Sequence, residues 1–179
     1  MTHVHVAGRY NGMSIWLHWL TFALFVAAYA TIELREFFPK GTNARETMKW
    51  LHGSIGLAIF AVAGIRLALR AILSRPQDSA GWMRVAARAT HAALYTLMIA
   101  LPLTGWLMLS AEGNPVRFFG LHLPPLLAAN EPLADKLEEL HETLGTIGYG
   151  LIAIHAAAAL FHHYALRDGL LSRMAPFRS

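Results

Sequence analysis

The chain alternates between long uncharged stretches and short charged connections, and that alternation sets the expected architecture. Tyr10 to Ile32 carries no Asp, Glu, Lys or Arg; nor do Trp50 to Ile65, Ala89 to Ala111 and Thr143 to Leu166. Three of them exceed, and the second with its flanks reaches, the ~20 residues that a helix needs to cross a bilayer. Spans are therefore expected at about 11–33, 49–71, 88–111 and 141–166. No small-residue cleavage site follows the first, so it reads as an anchor and not as a removed signal peptide. Pro39-Lys40-Gly41 marks a turn between the first two spans. Pro102 falls inside the third and should bend it and free a carbonyl. Residues 112–140 read as one long loop. There is no internal repeat and no low-complexity tract. The fold class that follows is all-α, an integral membrane four-helix bundle formed by a single domain, residues 1–179.

Composition supports the membrane class: 55% of the residues are hydrophobic and 15% are charged. The chain has no Cys, which rules out disulfides, iron–sulfur clusters and covalent attachment of a c-type haem. A formal charge of +4 without a basic stripe and interleaved aromatics makes nucleic acid a poor partner. Ten His residues in so apolar a chain are the unusual feature. Several sit within the spans, where ionisable side chains are costly and mark functional sites.

Counting residues from the charged rim sorts these histidines by depth. His52 lies just past Lys49 and His141 just past Glu139, so both sit near one face of the membrane. His18 precedes Glu33 by about as many residues as His155 follows Glu139, which at ~1.5 Å per residue puts both past the bilayer centre. On the fourth span His141 and His155 share a helix face, about 40° apart and about 21 Å along. The count thus pairs His52 with His141 and His18 with His155. Two neutral imidazoles facing each other at one depth suit the axial positions of a haem iron, and two such pairs make an electron ladder. His91 and His162 match in depth and form a rival pair for the inner position, nearer the rim. His122 and His163 read as loop or interfacial residues, and His3 and His5 as solvated tail.

These residues resemble the bacterial cytochrome b561 family of small di-haem inner-membrane proteins. The likeness is carried by SIWLHWL around His18, FFPKG at 37–41, LHGSIG around His52, IALPLTGW at 99–106, GNPVRFFGL at 113–121 and LHETLGTIGYGLIAIHAAAALFHHY at 140–164. The last is the most specific. The resemblance implies two haem b groups, held by His18, His52, His141 and His155. It also implies quinone-linked electron transfer. One branch of the family is a superoxide oxidase that takes electrons from periplasmic superoxide and reduces ubiquinone. The similar cytochrome subunits of formate dehydrogenases and hydrogenases instead relay electrons between a partner protein and quinone.

Charge bias sets the expected orientation. Arg9, Arg66, Arg70, Arg75, Arg84, Arg88, Arg167, Arg173 and Arg178 lie on the side of the termini. Arg35, Lys40, Arg45, Lys49, Arg117 and Lys136 lie on the other, among most of the acids. Both termini should face the cytoplasm. Arg35, Lys40, Arg45 and Lys49 would then draw an anionic donor, superoxide or another one-electron carrier, to the outer face. Arg66 and Arg70 fit either the propionates of an inner haem or plain anchoring in the headgroups. Trp16, Trp19, Trp106 and Tyr149 are candidates for a quinone pocket, although aromatic belts place such residues at interfaces regardless. A metal transporter using the same histidines as a relay would need inner acids, and only Glu142 lies near a span.

Overall fold

A computed structural model describes residues 10–73 and 81–175. Four helices dominate it, each long and apolar enough to cross a membrane: α1 (Gly12–Arg35), α2 (Asn43–Ile72), α3 (Trp82–Ala111) and α4 (Glu131–Phe161). Their starts follow local chemistry. The Asn11 side chain accepts from the Met13 N–H at 2.9 Å, Thr42 caps α2 by accepting from Arg45, and Asn130 caps α4 by accepting from Leu133. Each satisfies a backbone donor that the helix itself cannot. Pro132 sits in the first turn of α4, where a missing N–H costs nothing. Within α3, Pro102 removes the donor that would reach the Met98 carbonyl, and the Thr104 hydroxyl turns back onto the Ala100 and Leu101 carbonyls, both at 2.9 Å.

The charged connections do not mark where the helices begin. Helix α3 begins six residues ahead of position 88, and α4 begins ten residues ahead of position 141. The capping signal at Asn130 and Pro132 starts α4 ahead of the apolar span, and its charged first turns lead into it. The long loop is also more ordered than expected. It holds a hairpin of β1 (Val116–Phe118) and β2 (Leu121–Leu123), paired Val116 to Leu123, Arg117 to His122 and Phe118 to Leu121. Its two-residue turn places Phe119 and Gly120 at φ of 44° and 95°, the positive values that tight hairpins require. The fully buried Ser54 hydroxyl donates to the Arg117 carbonyl at 3.2 Å and accepts from the Phe119 N–H at 3.3 Å, which docks the hairpin on α2.

Helix α1 packs closely on α2, α3 on α4, and α2 on α3, whereas the α1 and α4 backbones hardly approach one another. Ala28, Ile59, Ala63 and Met98 form a buried cluster between the helices, with Leu24, Phe25, Ile55 and Tyr95 around it. Large apolar side chains such as Phe22, Val26, Ile65, Ile99, Ile154 and Leu160 stay exposed on the outer surfaces. In water they would be an aggregation hazard; in lipid they are the expected solvent-facing residues. After α4 a single π-helical turn, His162–Leu166, ends at Arg167 in the left-handed region. The chain then doubles back, and the Trp19 indole donates to the Met174 carbonyl at 2.8 Å. His3, His5, Arg9, Arg75 and Arg178 lie outside the described residues.

Candidate functional site: two histidine layers

Two layers of histidine lie between the four helices, each drawing on all of them. In the layer nearer the α1–α2 connection, the rings of His52 and His141 have centroids 6.0 Å apart and planes at 82°. The His52 Nδ1–H donates to the Ala28 carbonyl of α1 at 2.9 Å; a carbonyl only accepts, so the proton sits on Nδ1 and Nε2 keeps its lone pair. On the other side, Nδ1 of His141 lies 3.1 Å from the Thr104 hydroxyl of α3. That hydroxyl has given its own proton to the Ala100 and Leu101 carbonyls, so it accepts from Nδ1–H and again leaves Nε2 unprotonated. A Cβ at Gly105 would meet Cε1 of His141 at 3.2 Å, so the glycine is what lets the ring lie against α3.

In the second layer, His18 and His155 have ring centroids 6.1 Å apart. His91 of α3 adds a third ring, 5.6 Å from that of His155. Helix α2 contributes Arg66, whose guanidinium donates to Thr21 Oγ1 at 2.9 Å and to Nδ1 of His18 at 3.5 Å. Arg66 and Arg70 both lie over the Tyr95 ring, at 5.4 and 5.6 Å from its centroid. Arg66 therefore points into the bundle at the second layer. His91 and His162 do not come together as the depth count allowed. His162 instead hydrogen-bonds Asp168 across the π-helical turn, at 2.5 Å. Partial burial pushes the Asp168 carboxyl up, but bonds from His162 and the Leu170 N–H outweigh it and hold the group below its ordinary range.

In both pairs the ring centroids stand about 6 Å apart, the spacing of two imidazoles that each bond one metal at about 2 Å. The first layer also presents the tautomer such a ligand needs. In the second layer Arg66 occupies the Nδ1 side of His18 and would have to shift for that ring to present Nε2. The four rings that the sequence pairs by depth do lie together, whereas nothing in the sequence marks Ala28, Thr104 or Gly105 beside them. A backbone carbonyl leaves no mark on residue identity, and a Thr-Gly pair after a proline reads as ordinary helix packing.

The cations of the α1–α2 connection are not equivalent. Arg45 donates to the carbonyls of Arg35 and Phe38, both at 3.1 Å, and to the Glu36 carboxylate. Arg35 bonds the same carboxylate at 2.8 Å, and this bond with that of Arg45 holds the exposed Glu36 carboxyl below its usual range. Among the described residues, Lys40, Lys49 and the hairpin Arg117 enter no ion pair. The three aromatic quinone candidates with a polar atom at work in this structure spend it elsewhere in the fold: Trp19 on Met174, Trp106 on the Pro124 carbonyl at 3.1 Å, and Tyr149 on Glu33 at 2.8 Å.

Comparison with known proteins adds to this geometry. A family profile described as prokaryotic cytochrome b561 matches residues 9–177. The chain is 36% identical to cytochrome b561 homolog 1 of Escherichia coli K12 over 173 residues, which cover 95% of this chain and 98% of that protein. It is also 36% identical over 174 residues to a protein of Yersinia pestis named probable superoxide oxidase CybB, covering 94% of this chain and 96% of the other. Cytochrome b561 homolog 2 of Escherichia coli K12 is 31% identical over 182 residues, 97% of this chain and 95% of that one.

Proposed function

We propose, starting from the fact that this chain belongs to the prokaryotic cytochrome b561 family of haem-binding membrane electron-transfer proteins, that it is a di-haem oxidoreductase that oxidises superoxide and reduces ubiquinone. The observation that carries the reading is the stacking of two histidine pairs, each about one metal-bridged ring spacing across, along the axis of a bundle of membrane-spanning helices. When bound, haem b supplies reversible one-electron chemistry at each layer. His52 and His141 would hold the outer group, and His18 and His155 the inner one once Arg66 releases the His18 ring. The Ala28 carbonyl and Thr104 hydroxyl fix the tautomer of the outer ligands and raise their basicity. Apolar side chains exclude water around both.

The charge bias across the connections supports an orientation with both termini in the cytoplasm. The α1–α2 connection and the hairpin then face the periplasm. Lys40, Lys49 and Arg117 are the cations there that can attract an anion, since Arg35 and Arg45 are partly neutralised by Glu36. Arg66, bonded to a hydroxyl and an imidazole rather than a carboxylate, is placed to turn toward the propionates of an inner haem, with Arg70 behind it. The overall conversion balances as two superoxide anions and two protons with one ubiquinone, giving two dioxygen and one ubiquinol.

The test is to supply superoxide enzymatically to purified, haem-loaded protein with a soluble ubiquinone analogue and to follow quinol. One quinol per two superoxide, abolished by superoxide dismutase, supports the reading. Haem that superoxide does not reduce, but that quinol and a co-purifying dehydrogenase or hydrogenase do, would move the function to the partner-fed relay.

A further inference from the structure

The outer histidine layer is held by a circuit of polar contacts that runs through all four helices. Ala28 of α1 holds His52 of α2. His52 faces His141 of α4, and His141 is held by Thr104 of α3. The circuit closes between α1 and α4, whose backbones hardly approach one another. There the Tyr29 hydroxyl donates to the Gly145 carbonyl at 2.9 Å, one turn below His141. The Tyr29 ring stands over Gly148, where any Cβ would collide with the phenol oxygen. It also packs on the Tyr149 ring with centroids 3.9 Å apart, and Tyr149 in turn donates to Glu33 of α1 at 2.8 Å.

We propose that Tyr29 is a positioning residue for the outer histidine pair, tying α1 to α4 so that the Ala28 carbonyl stays on His52 while His141 stays opposite. The inference rests on the reading that this pair holds a haem. Three features single out Tyr29 rather than the seam in general. It immediately follows Ala28, so a shift of α1 at Tyr29 moves the carbonyl that sets the His52 ring. Its hydroxyl reaches the α4 backbone within one turn of the second ligand. It lies on the site-facing side of α1, eleven residues past His18, which is about 20° around the helix and about 16 Å along it. Glu33 and Tyr149 brace the same seam from the exposed side.

The test compares Tyr29→Phe, which keeps the ring and loses one hydrogen bond, with Gly148→Leu, which displaces the phenol. Both are made in the full chain, with haem per chain, low-spin electron paramagnetic resonance and a potentiometric titration as readouts. In Tyr29→Phe the haem stoichiometry is expected to stay at the wild-type value, while the resonance assigned to the outer haem by His52→Ala broadens and its midpoint rises. The inner resonance stays put. Gly148→Leu exaggerates the same change or loses the outer haem first. An outer signal unchanged in Tyr29→Phe, or both signals moving equally, overturns the positioning role. Wild-type protein without two haems would instead overturn the reading on which it rests. Glu33→Gln, which can still accept from Tyr149, is the conservative control expected to leave both signals in place.

Discussion

The Thr104 hydroxyl accepts from Nδ1 of His141 at 3.1 Å while its own proton is committed to the two carbonyls one turn back along α3. This relationship makes a hydroxyl act as a fixed acceptor, and it predicts what removal does. Thr104→Val keeps the shape and leaves the imidazole N–H unpaired in a half-buried place, at a cost of about 1–3 kcal/mol. The ligand also becomes less basic. One of two haem midpoints should therefore rise while the other holds, and Thr104→Ser should restore it; a potentiometric titration in the alpha band reads both.

Gly105 gives a steric prediction at the same ring. A methyl group there would press Cε1 of His141 at 3.2 Å, so Gly105→Ala requires a shift of a few tenths of an ångström and Gly105→Leu cannot be accommodated without moving the ring. Haem per chain, measured by pyridine extraction, is expected to stay near wild type in the first and to fall by one in the second. Equal haem in both would show that His141 is not a ligand.

Arg66 places a cation 3.5 Å from the His18 ring. A nearby positive charge favours the reduced, less positive iron, so Arg66→Met should lower the inner midpoint. A change of ~60 mV corresponds to tenfold in a one-electron equilibrium. Arg66→Lys keeps the charge without the fork and should fall between the two. A midpoint that did not move would return Arg66 to simple packing against Tyr95.

The cations of the outer face divide into structural and available ones, and the two classes should behave differently. Lys40→Gln with Lys49→Gln is expected to slow reduction by superoxide severalfold at low salt, with the difference fading as ionic strength screens the field. Arg45→Gln should instead loosen the α1–α2 connection, because it breaks bonds to two carbonyls and the Glu36 carboxylate. Stopped-flow rates against salt, alongside melting temperatures, separate the two.

The bundle and its histidines were legible in the sequence because both are written in side-chain identity: uncharged runs mark spans, and His at matched distances from Lys49, Glu33 and Glu139 marks depth. What holds the rings was not. Ala28 acts through its carbonyl, Gly105 through the lack of a side chain, and Thr104 through a proton already given away. The hairpin escaped because Phe119 at positive φ is not a turn residue by composition, and Ser54, which docks it, looks like one more small residue in a glycine-rich helix. The inner layer was read incompletely for another reason. Depth counting compares heights and says nothing about which helix faces which, so it matched His91 to His162 where the structure sets His91 against His155.

The proposed holding of two haems by four histidines is tested by the reduced-minus-oxidised visible spectrum of the detergent-purified protein, with haem counted per chain. Two b-type haems are expected, with one lost in His52→Ala or His141→Ala and the other in His18→Ala or His155→Ala. A single haem that survives His141→Ala, or two that survive His18→Ala with one lost in His91→Ala, would contradict the assignment of the layers.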